Sequence, residues 1–453
     1  MVKEYEAIAV GSGSATIVLG AMMEQNQGKK FAIVDKDVPG GICLTRGCIP
    51  SKLLLYPADV VAMIQEANEL GIQAEIQKVD FPKIMGRMRG IIDADINEIR
   101  KGFSSTPGLD YYPTTAEFVS PYTLKAGSET ITSKKILLGI GSRAVIPKVE
   151  GLEHAGYLTS DSLLHLKKLP ESVVIIGGGY IAAEYGHFLS AMGSKVAIVG
   201  RNPQFIPEEE PEVSWAAKAA MSKRMAIATN HEVVRVEKPL MGKKVAVARD
   251  RASGKEAKFA CEEILVASGR ESNADLLHCE KAGIATDAKG WIKVNDKLET
   301  SQPGIYAFGD ATGKWLFRHK ANHEARVVLS NVVYGKEAHA DYRAVPHAVF
   351  THPEIASFGL REAEAVQKFG ANNLSIGFQK YEDTGKGMAM NVHGAFAKVI
   401  IENKTGKILG AHIVGPQASV LIQELINAMH SGSGTIEPVQ KAMHIHPSLT
   451  EVV

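Results

Sequence analysis

Only 4 of the 453 residues are cysteine, which excludes a fold stapled by several structural disulfides. An excess of charge of either sign is also missing: 51 basic residues balance 50 acidic ones, for a formal net charge of +1. That balance removes the attraction that nucleic acid or an anionic membrane surface would need. No apolar run in the sequence approaches the roughly 20 residues of a membrane span. The opening residues, Val2-Lys3-Glu4-Tyr5-Glu6, enter a strand-like run with no room for a targeting segment. These absences predict a cytoplasmic enzyme with neither nucleic acid nor membrane as partner, and the length suggests roughly three domains.

What cysteine there is stands in one telling place. Cys43 and Cys48 lie in Gly40-Gly41-Ile42-Cys43-Leu44-Thr45-Arg46-Gly47-Cys48-Ile49-Pro50-Ser51-Lys52. On a regular helix, positions i and i+5 are roughly 8–9 Å apart between Cα atoms, whereas a disulfide needs them within about 7 Å. The pair can bridge only if the backbone leaves regular helix between or beside the cysteines. Gly47 and Pro50 supply the means, one permissive and one a poor continuer of a helix. A small distorted ring is easily reduced, which suits a catalytic couple. Zinc is not expected, because Cys261 and Cys279 form no C-x-x-C unit and no histidine spacing completes a ligand set.

A second pattern repeats. Tyr5–Val10 reads as a buried strand running into Gly11-Ser12-Gly13-Ser14-Ala15-Thr16, a helix to about 27, and a strand over 31–34 that ends at Asp35. The plan recurs as a strand over 172–176, Gly177-Gly178-Gly179-Tyr180-Ile181-Ala182, a helix to about 192, and a strand over 195–199. Both are strand–glycine turn–helix–strand units of dinucleotide-binding type, in which Gly11, Gly13, Gly177 and Gly179 let backbone approach a pyrophosphate. The third glycine position holds Thr16 in one unit and Ala182 in the other, so the first unit should pack slightly more loosely. Asp35 can accept hydrogen bonds from a ribose diol, as an FAD site requires. The equivalent place in the second unit is Gly200, followed by Arg201; a missing acid beside a guanidinium leans towards NADP(H) over NAD(H).

Between the units lie helical patterns at 58–70 and 80–103, a β-rich stretch, and strand-plus-glycine exits at Lys135–Ser142 and Ile264–Arg270. From about 344 the texture becomes α+β, with a strand at 395–400 and helices near 361–369 and 417–431.

The whole chain resembles the pyridine nucleotide–disulfide oxidoreductases, and dihydrolipoamide dehydrogenase most closely. The resemblance rests on the cysteine segment, on Gly177–Glu184, on Thr300–Asp310, on Phe350–Ser357 and on the terminal His444-Ile445-His446-Pro447-Ser448-Leu449-Thr450-Glu451. It implies an α/β fold with an FAD-binding domain over 1–150, an NAD(P)-binding domain over 151–269, a return to the FAD domain over 270–343 and a dimerisation domain over 344–453. It also implies a homodimer whose active sites are shared between subunits.

The roles that the resemblance assigns are specific. Cys48 would form the flavin-side thiolate and Cys43 would exchange with the substrate disulfide. Lys52, paired with Glu184, would sit by the flavin. His446 from the partner subunit would be the acid–base, tuned by Glu451. Asp310 would bind the ribityl chain, and the cofactor contacts extend to Ala116, Gly141, Ala311, His319, Val234 and Gly269. His444 carries no assigned role.

Some residues depart from the family's pattern. Arg46 stands between the cysteines, where a cation would favour thiolate or point to solvent, and Ile140 replaces a common Thr. Tyr180 is shared with glutathione-reductase-like members, where it gates the nicotinamide pocket, while Phe317-Arg318-His319-Lys320-Ala321 is similar to dihydrolipoamide dehydrogenases. Oxidation of dihydrolipoamide, free or as a lipoyl group on another protein, is the first expectation. An NADPH-dependent reductase of a small disulfide, of the glutathione or mycothione type, is the alternative. A mercuric reductase is disfavoured because the chain ends Leu449–Val453 without a cysteine pair. An idle FAD-binding subunit is disfavoured because Cys43, Cys48, His446 and Glu451 are all present.

Overall fold

The computed structural model describes residues 2–238 and 242–453, and the chain divides into two compact units. The first comprises the chain up to Pro50, Gly86–Val145 and Gly269–Asp341. Its centre is an all-parallel sheet ordered Ile305–Ala307, Ile136–Leu138, Ala7–Val10, Phe31–Val34, Leu109–Tyr112. Ala7–Val10 and Phe31–Val34 are buried at every position, which is why they read as unbroken apolar runs rather than alternating ones. The period-2 pleat sends their residues to two cores. Ala7 and Ala9 meet Val18, Leu19 and Met22 of the helix Ala15–Gln25 and Val328 of the helix Arg318–Val332. Ile8 and Val10 meet Phe118, Leu124 and Ile131 of a four-stranded sheet laid on the other side.

The second unit comprises Ser51–Met85, Ile146–Ser268 and Tyr342–Val453. Its parallel sheet runs Leu158–Thr159, Glu263–Val266, Ser172–Ile176, Lys195–Val199, Ala226–Ala228, and the helix Tyr180–Met192 covers it. A three-stranded antiparallel sheet, His231–Glu237, Lys244–Asp250 and Glu256–Cys261, follows in sequence. The C-terminal part is a five-stranded antiparallel sheet backed by the helix Ala418–His430.

Buried ions tie this last sheet to the acidic run Glu208–Glu212, whose purpose the sequence did not disclose. The fully buried Glu209 receives His347 Nε2 at 2.6 Å and the Ser357 hydroxyl at 2.5 Å. Lys398, also buried, lies 3.4 Å from Glu210, 3.2 Å from Glu212 and 2.6 Å from Glu362. Burial alone would push the Glu209 carboxyl up, but the His347 imidazole and the Ser357 hydroxyl hold it below the ordinary range. Burial would lower His347, and the Glu209 carboxylate raises it instead.

Two expectations need correction. Gly47 does interrupt the helix, which ends at Arg46, but Pro50 does not: it sits in the first turn of the next helix, Cys48–Glu66, where its missing N–H has no intrahelical bond to lose. That helix starts ten residues before the predicted 58 and continues through Pro57. Nor is an apolar run absent, since Gly41–Leu70 is long and apolar enough, by length and composition alone, to cross a bilayer.

Candidate active site

The first glycine turn is held in place by its own acid. Gly11 lies so close to the next strand that a Cβ there would stand 2.2 Å from the Gly139 carbonyl oxygen. Ser12 then donates to Asp35 Oδ2 twice, from its amide at 2.7 Å and its hydroxyl at 2.6 Å. The same hydroxyl accepts the Gly40 amide at 2.9 Å. Asp35 Oδ1 takes the Asp37 amide at 2.9 Å and keeps a lone pair for a ribose hydroxyl. Asp35 therefore braces the turn as well as facing a ligand. Thr16 turns its hydroxyl back onto the Gly13 carbonyl at 2.8 Å and stays half-buried, whereas Ala182 is fully buried.

The cysteine segment grows out of this turn. A Cβ on Gly41 would lie 2.6 Å from the Gly13 Cα, so the short helix Gly41–Arg46 starts in contact with the loop. At Gly47 the backbone doubles back, and a Cβ there would sit 2.9 Å from the Ile42 carbonyl oxygen and 3.3 Å from the Cys43 Cα. The regular helix is thus broken between the two cysteines, at Gly47. Both thiols are half-buried. Cys261 and Cys279 are buried, and burial pushes their thiols up to about 11 and about 12. The Arg46 guanidinium pairs with Asp37. Burial pushes the Asp37 carboxyl up, but Arg46 and Lys36 together hold it below its usual value.

The second and third passes of the chain through this unit add a relay. Ser142, next to Gly141, donates to Asp310 Oδ2 at 2.6 Å, and Arg270 holds Ser142 through Nε to the hydroxyl at 2.7 Å and Nη2 to the carbonyl at 2.8 Å. Sequence reading named Asp310, Gly141 and Gly269 but missed Ser142 and Arg270, whose only signal was their place after the two glycine exits. Gly269, at φ 115°, accepts the Val145 amide at 3.0 Å. Ala116 and Ala311 are core residues, so their main-chain groups are what they can offer a ligand. The His319 ring stacks on Phe317 with centroids 5.5 Å apart. Ile140 packs on the same core, and its carbonyl accepts the Asn273 side chain at 2.9 Å.

In the second unit the corresponding turn is built on bare backbone. A Cβ on Gly177 would stand 2.1 Å from the Ala267 carbonyl oxygen. Gly179 caps the helix Tyr180–Met192, whose first residue, Tyr180, is half-buried. Where Ser12 meets Asp35 in the first unit, Gly178 meets Gly200: a Cβ on Gly200 would lie 3.1 Å from the Gly178 Cα. Arg201 follows, exposed. Val234 is the extra residue of a bulge between Val233 and Arg235, which takes its main chain out of the ladder. Both turns keep the clearance that a pyrophosphate needs and a side chain would fill, so these residues fit two dinucleotides.

Two ion pairs complete the set within the second unit. Lys52, one turn after Cys48 on the same helix, lies 3.0 Å from each oxygen of Glu184. Glu184 Oε1 also accepts the Phe350 amide at 3.1 Å, and the Lys52 ammonium stands 4.5 Å from the Phe350 ring centroid. Seven residues beyond Lys52, Asp59 meets the buried His187 at 2.9 Å, so the two helices are pinned twice. At the C-terminus the exposed His446 shares its Nδ1 with Glu451 Oε1 at 2.7 Å, and Glu451 Oε2 accepts the Ser448 amide at 3.1 Å. The His446 contact and the Ser448 amide hold the Glu451 carboxyl below its ordinary value. A carboxylate on Nδ1 orients the ring and leaves Nε2 as the nitrogen that can exchange a proton with a substrate. His444 has a partner of its own, Glu424, at 2.9 Å.

The comparisons with known proteins agree with one another. Residues 5–325 match the model of the pyridine nucleotide-disulphide oxidoreductases, and residues 345–453 match that family's dimerisation domain. A mycothione reductase of Mycobacterium tuberculosis is 36% identical over 99% of this chain and 98% of its own length. A dihydrolipoyl dehydrogenase of Chlamydia pneumoniae is 31% identical over 100% and 96%. Among solved structures, the HOCl-induced flavoprotein disulfide reductase RclA of Escherichia coli, as a Cu(II) complex, superposes with a TM-score of 0.86 at 26% identity over 100% of this chain and 98% of that one. Two glycine cradles, a cysteine pair set at a helix break and a lysine–glutamate clamp thus recur in a chain whose relatives match it from end to end. The protein belongs to the class I pyridine nucleotide–disulphide oxidoreductases, flavin-dependent enzymes for which FAD and a pyridine nucleotide are the expected cofactors.

Proposed function

We propose that this enzyme is an NADPH-dependent reductase of a small-molecule disulfide of the mycothione class. The observation that carries this reading is the apposition of Gly200 on Gly178, with Arg201 beside it. Any side chain at 200 is crowded, so the acid that would favour an unphosphorylated ribose is kept out. Similarity points the same way, at 36% against 31% identity. The dihydrolipoamide reading drew on His319-Lys320-Ala321. Lys320, however, is a buried brace, bonded to the Gly309 carbonyl at 2.9 Å and paired with Glu324 at 2.9 Å. It supports the turn that carries Asp310 and does not speak to the disulfide substrate.

Gly11, Gly13, Asp35, Asp310 and Ser142 would hold FAD, with Gly177, Gly179, Tyr180, Arg201, Val234 and Gly269 around the nicotinamide nucleotide. Bound FAD would supply two-electron transfer from the nicotinamide to the cysteine pair. The Cys43 thiolate attacks one sulfur of the substrate disulfide, and the sulfur that leaves takes a proton from His446 of the partner subunit. The Cys48 thiolate then attacks the Cys43 sulfur of the mixed disulfide, expelling the second half of the substrate as a thiolate that takes its proton from solvent and leaving Cys43 and Cys48 joined. Lys52, fixed by Glu184, would supply a positive charge that favours reduced flavin.

Steady-state rates with mycothione-type disulfide, oxidised glutathione and dihydrolipoamide, each with both nicotinamides, test this. The expected result is disulfide reduction with NADPH well above dihydrolipoamide oxidation with NAD+. Faster dihydrolipoamide turnover would overturn it and restore the dehydrogenase reading.

A further inference from the structure

The loop that follows Lys195–Val199 is clamped from outside its own unit of secondary structure. The His231 amide donates to the Gly200 carbonyl at 2.9 Å, the Asn230 amide to the Asn202 carbonyl at 2.7 Å, and Arg251 Nη1 to the Arg201 carbonyl at 3.0 Å. Arg251 is itself seated by its amide, which donates to the Asn230 carbonyl at 2.9 Å. One hairpin, from His231–Glu237 into Lys244–Asp250, thus reaches under the ribose end of the second nucleotide turn and places a guanidinium there.

That guanidinium has capacity to spare. One of its five N–H donors is used on Arg201, the side chain is about half exposed, and the nearest carboxylate, Glu232, stands at 4.0 Å. The neighbouring Asp250 carboxylate is turned to its own loop through Oδ1, which accepts the amides of Ala252 at 2.7 Å and Ser253 at 3.1 Å and the Asn230 side chain at 3.4 Å. Gly200 offers no competing acid. We infer that Arg251 is a specificity-determining residue of the nicotinamide site, a second cation that binds the 2′-phosphate of NADPH beside Arg201. A planar fork anchored at one end and open at the other is suited to a phosphate dianion.

This inference rests on the NADPH reading above, and the test separates the two. Binding of 2′,5′-ADP and of 5′-AMP to the FAD-loaded enzyme is measured by calorimetry for wild type, R201A, R251A and R251K, with KM for NADPH and NADH alongside. Loss of Arg251 should weaken 2′,5′-ADP and raise the NADPH KM by about ten- to hundredfold, the usual range for a lost charge-assisted bond. It should leave 5′-AMP and NADH within about twofold. R251K, which keeps the charge and loses the fork, should recover part of the affinity. Equal losses for both nucleotides would make Arg251 a loop brace only and overturn the inference. A wild-type NADPH preference that survives R251A and R251K would overturn Arg251 alone. A wild-type enzyme indifferent to the 2′-phosphate would overturn the NADPH reading and this one with it.

Discussion

At the scale of single residues the four thiols differ by environment. Cys43 and Cys48 are half-buried at a helix break, whereas Cys261 and Cys279 are sealed in apolar cores and pushed up to about 11 and about 12. Since the thiolate is the reactive form, iodoacetamide should label the NADPH-reduced native enzyme at Cys43, and mass spectrometry should find Cys261 and Cys279 unmodified until the protein is unfolded. Labelling of either buried thiol in the native state would contradict their placement. The roles divide further: C43S should abolish disulfide turnover while flavin bleaching by NADPH persists, and turnover retained in that variant would refute the interchange role. At His446, the brace is Glu451. E451Q should lower kcat by about a hundredfold, at the low end of what a positioned acid–base contributes, with KM for the nicotinamide unchanged. A rate within twofold of wild type would reduce Glu451 to a cap for the last turn.

At the scale of elements, what governs is how closely backbones approach. G47A places a methyl against the Ile42 carbonyl and the Cys43 Cα, and should disturb thiol exchange far more than it lowers the melting temperature. G200E, in an NAD-dependent relative's image, should weaken both nicotinamides here rather than exchange one for the other, because the glycine pair closes the turn. The joint between Glu209 and His347 makes a pH prediction. His347 titrates above its ordinary value, so its contribution is complete below about 6.5 and fades as pH rises through the raised folded value. Glu209 titrates below its ordinary value, so its contribution is complete above about 4.3 and is lost as pH falls through the lowered one. H347Q should therefore cost about 3 kcal/mol near pH 6, as breaking a buried pair does, and less at pH 9; thermal melts of both proteins across that range would show the gap narrowing. A gap independent of pH would assign the loss to packing.

These elements also show what a sequence can and cannot disclose. The parallel strands were legible because a strand buried on both faces is apolar at every position. The helices at 361–369 and 417–431 were legible from their period. The start of the Cys48–Glu66 helix was not, because Pro50 reads as a breaker until its place in the first turn is known. Asp35 was found, but not its grip on Ser12, since that depends on a fold-back of 23 residues. Arg251 and the Glu208–Glu212 run stayed silent for the same reason: each acts on a partner tens to more than a hundred residues away.

At the scale of the whole molecule, the dimerisation domain makes a homodimer the expected assembly. If Cys43 of one subunit works with His446 of the other, mixing inactive C43S and H446A chains should restore about a quarter of wild-type activity per total site, from random pairing. No recovery after verified subunit exchange would place both residues in one chain's site.

The helix that begins at Cys48 leaves the first compact unit at Pro50 and carries Lys52 into the second, and the polypeptide changes units five times in all. No single cut therefore separates a working half from the remainder. Recombination that exchanges contiguous blocks of gene would nonetheless carry Cys48 and Lys52 together, since they stand on one helix a single turn apart.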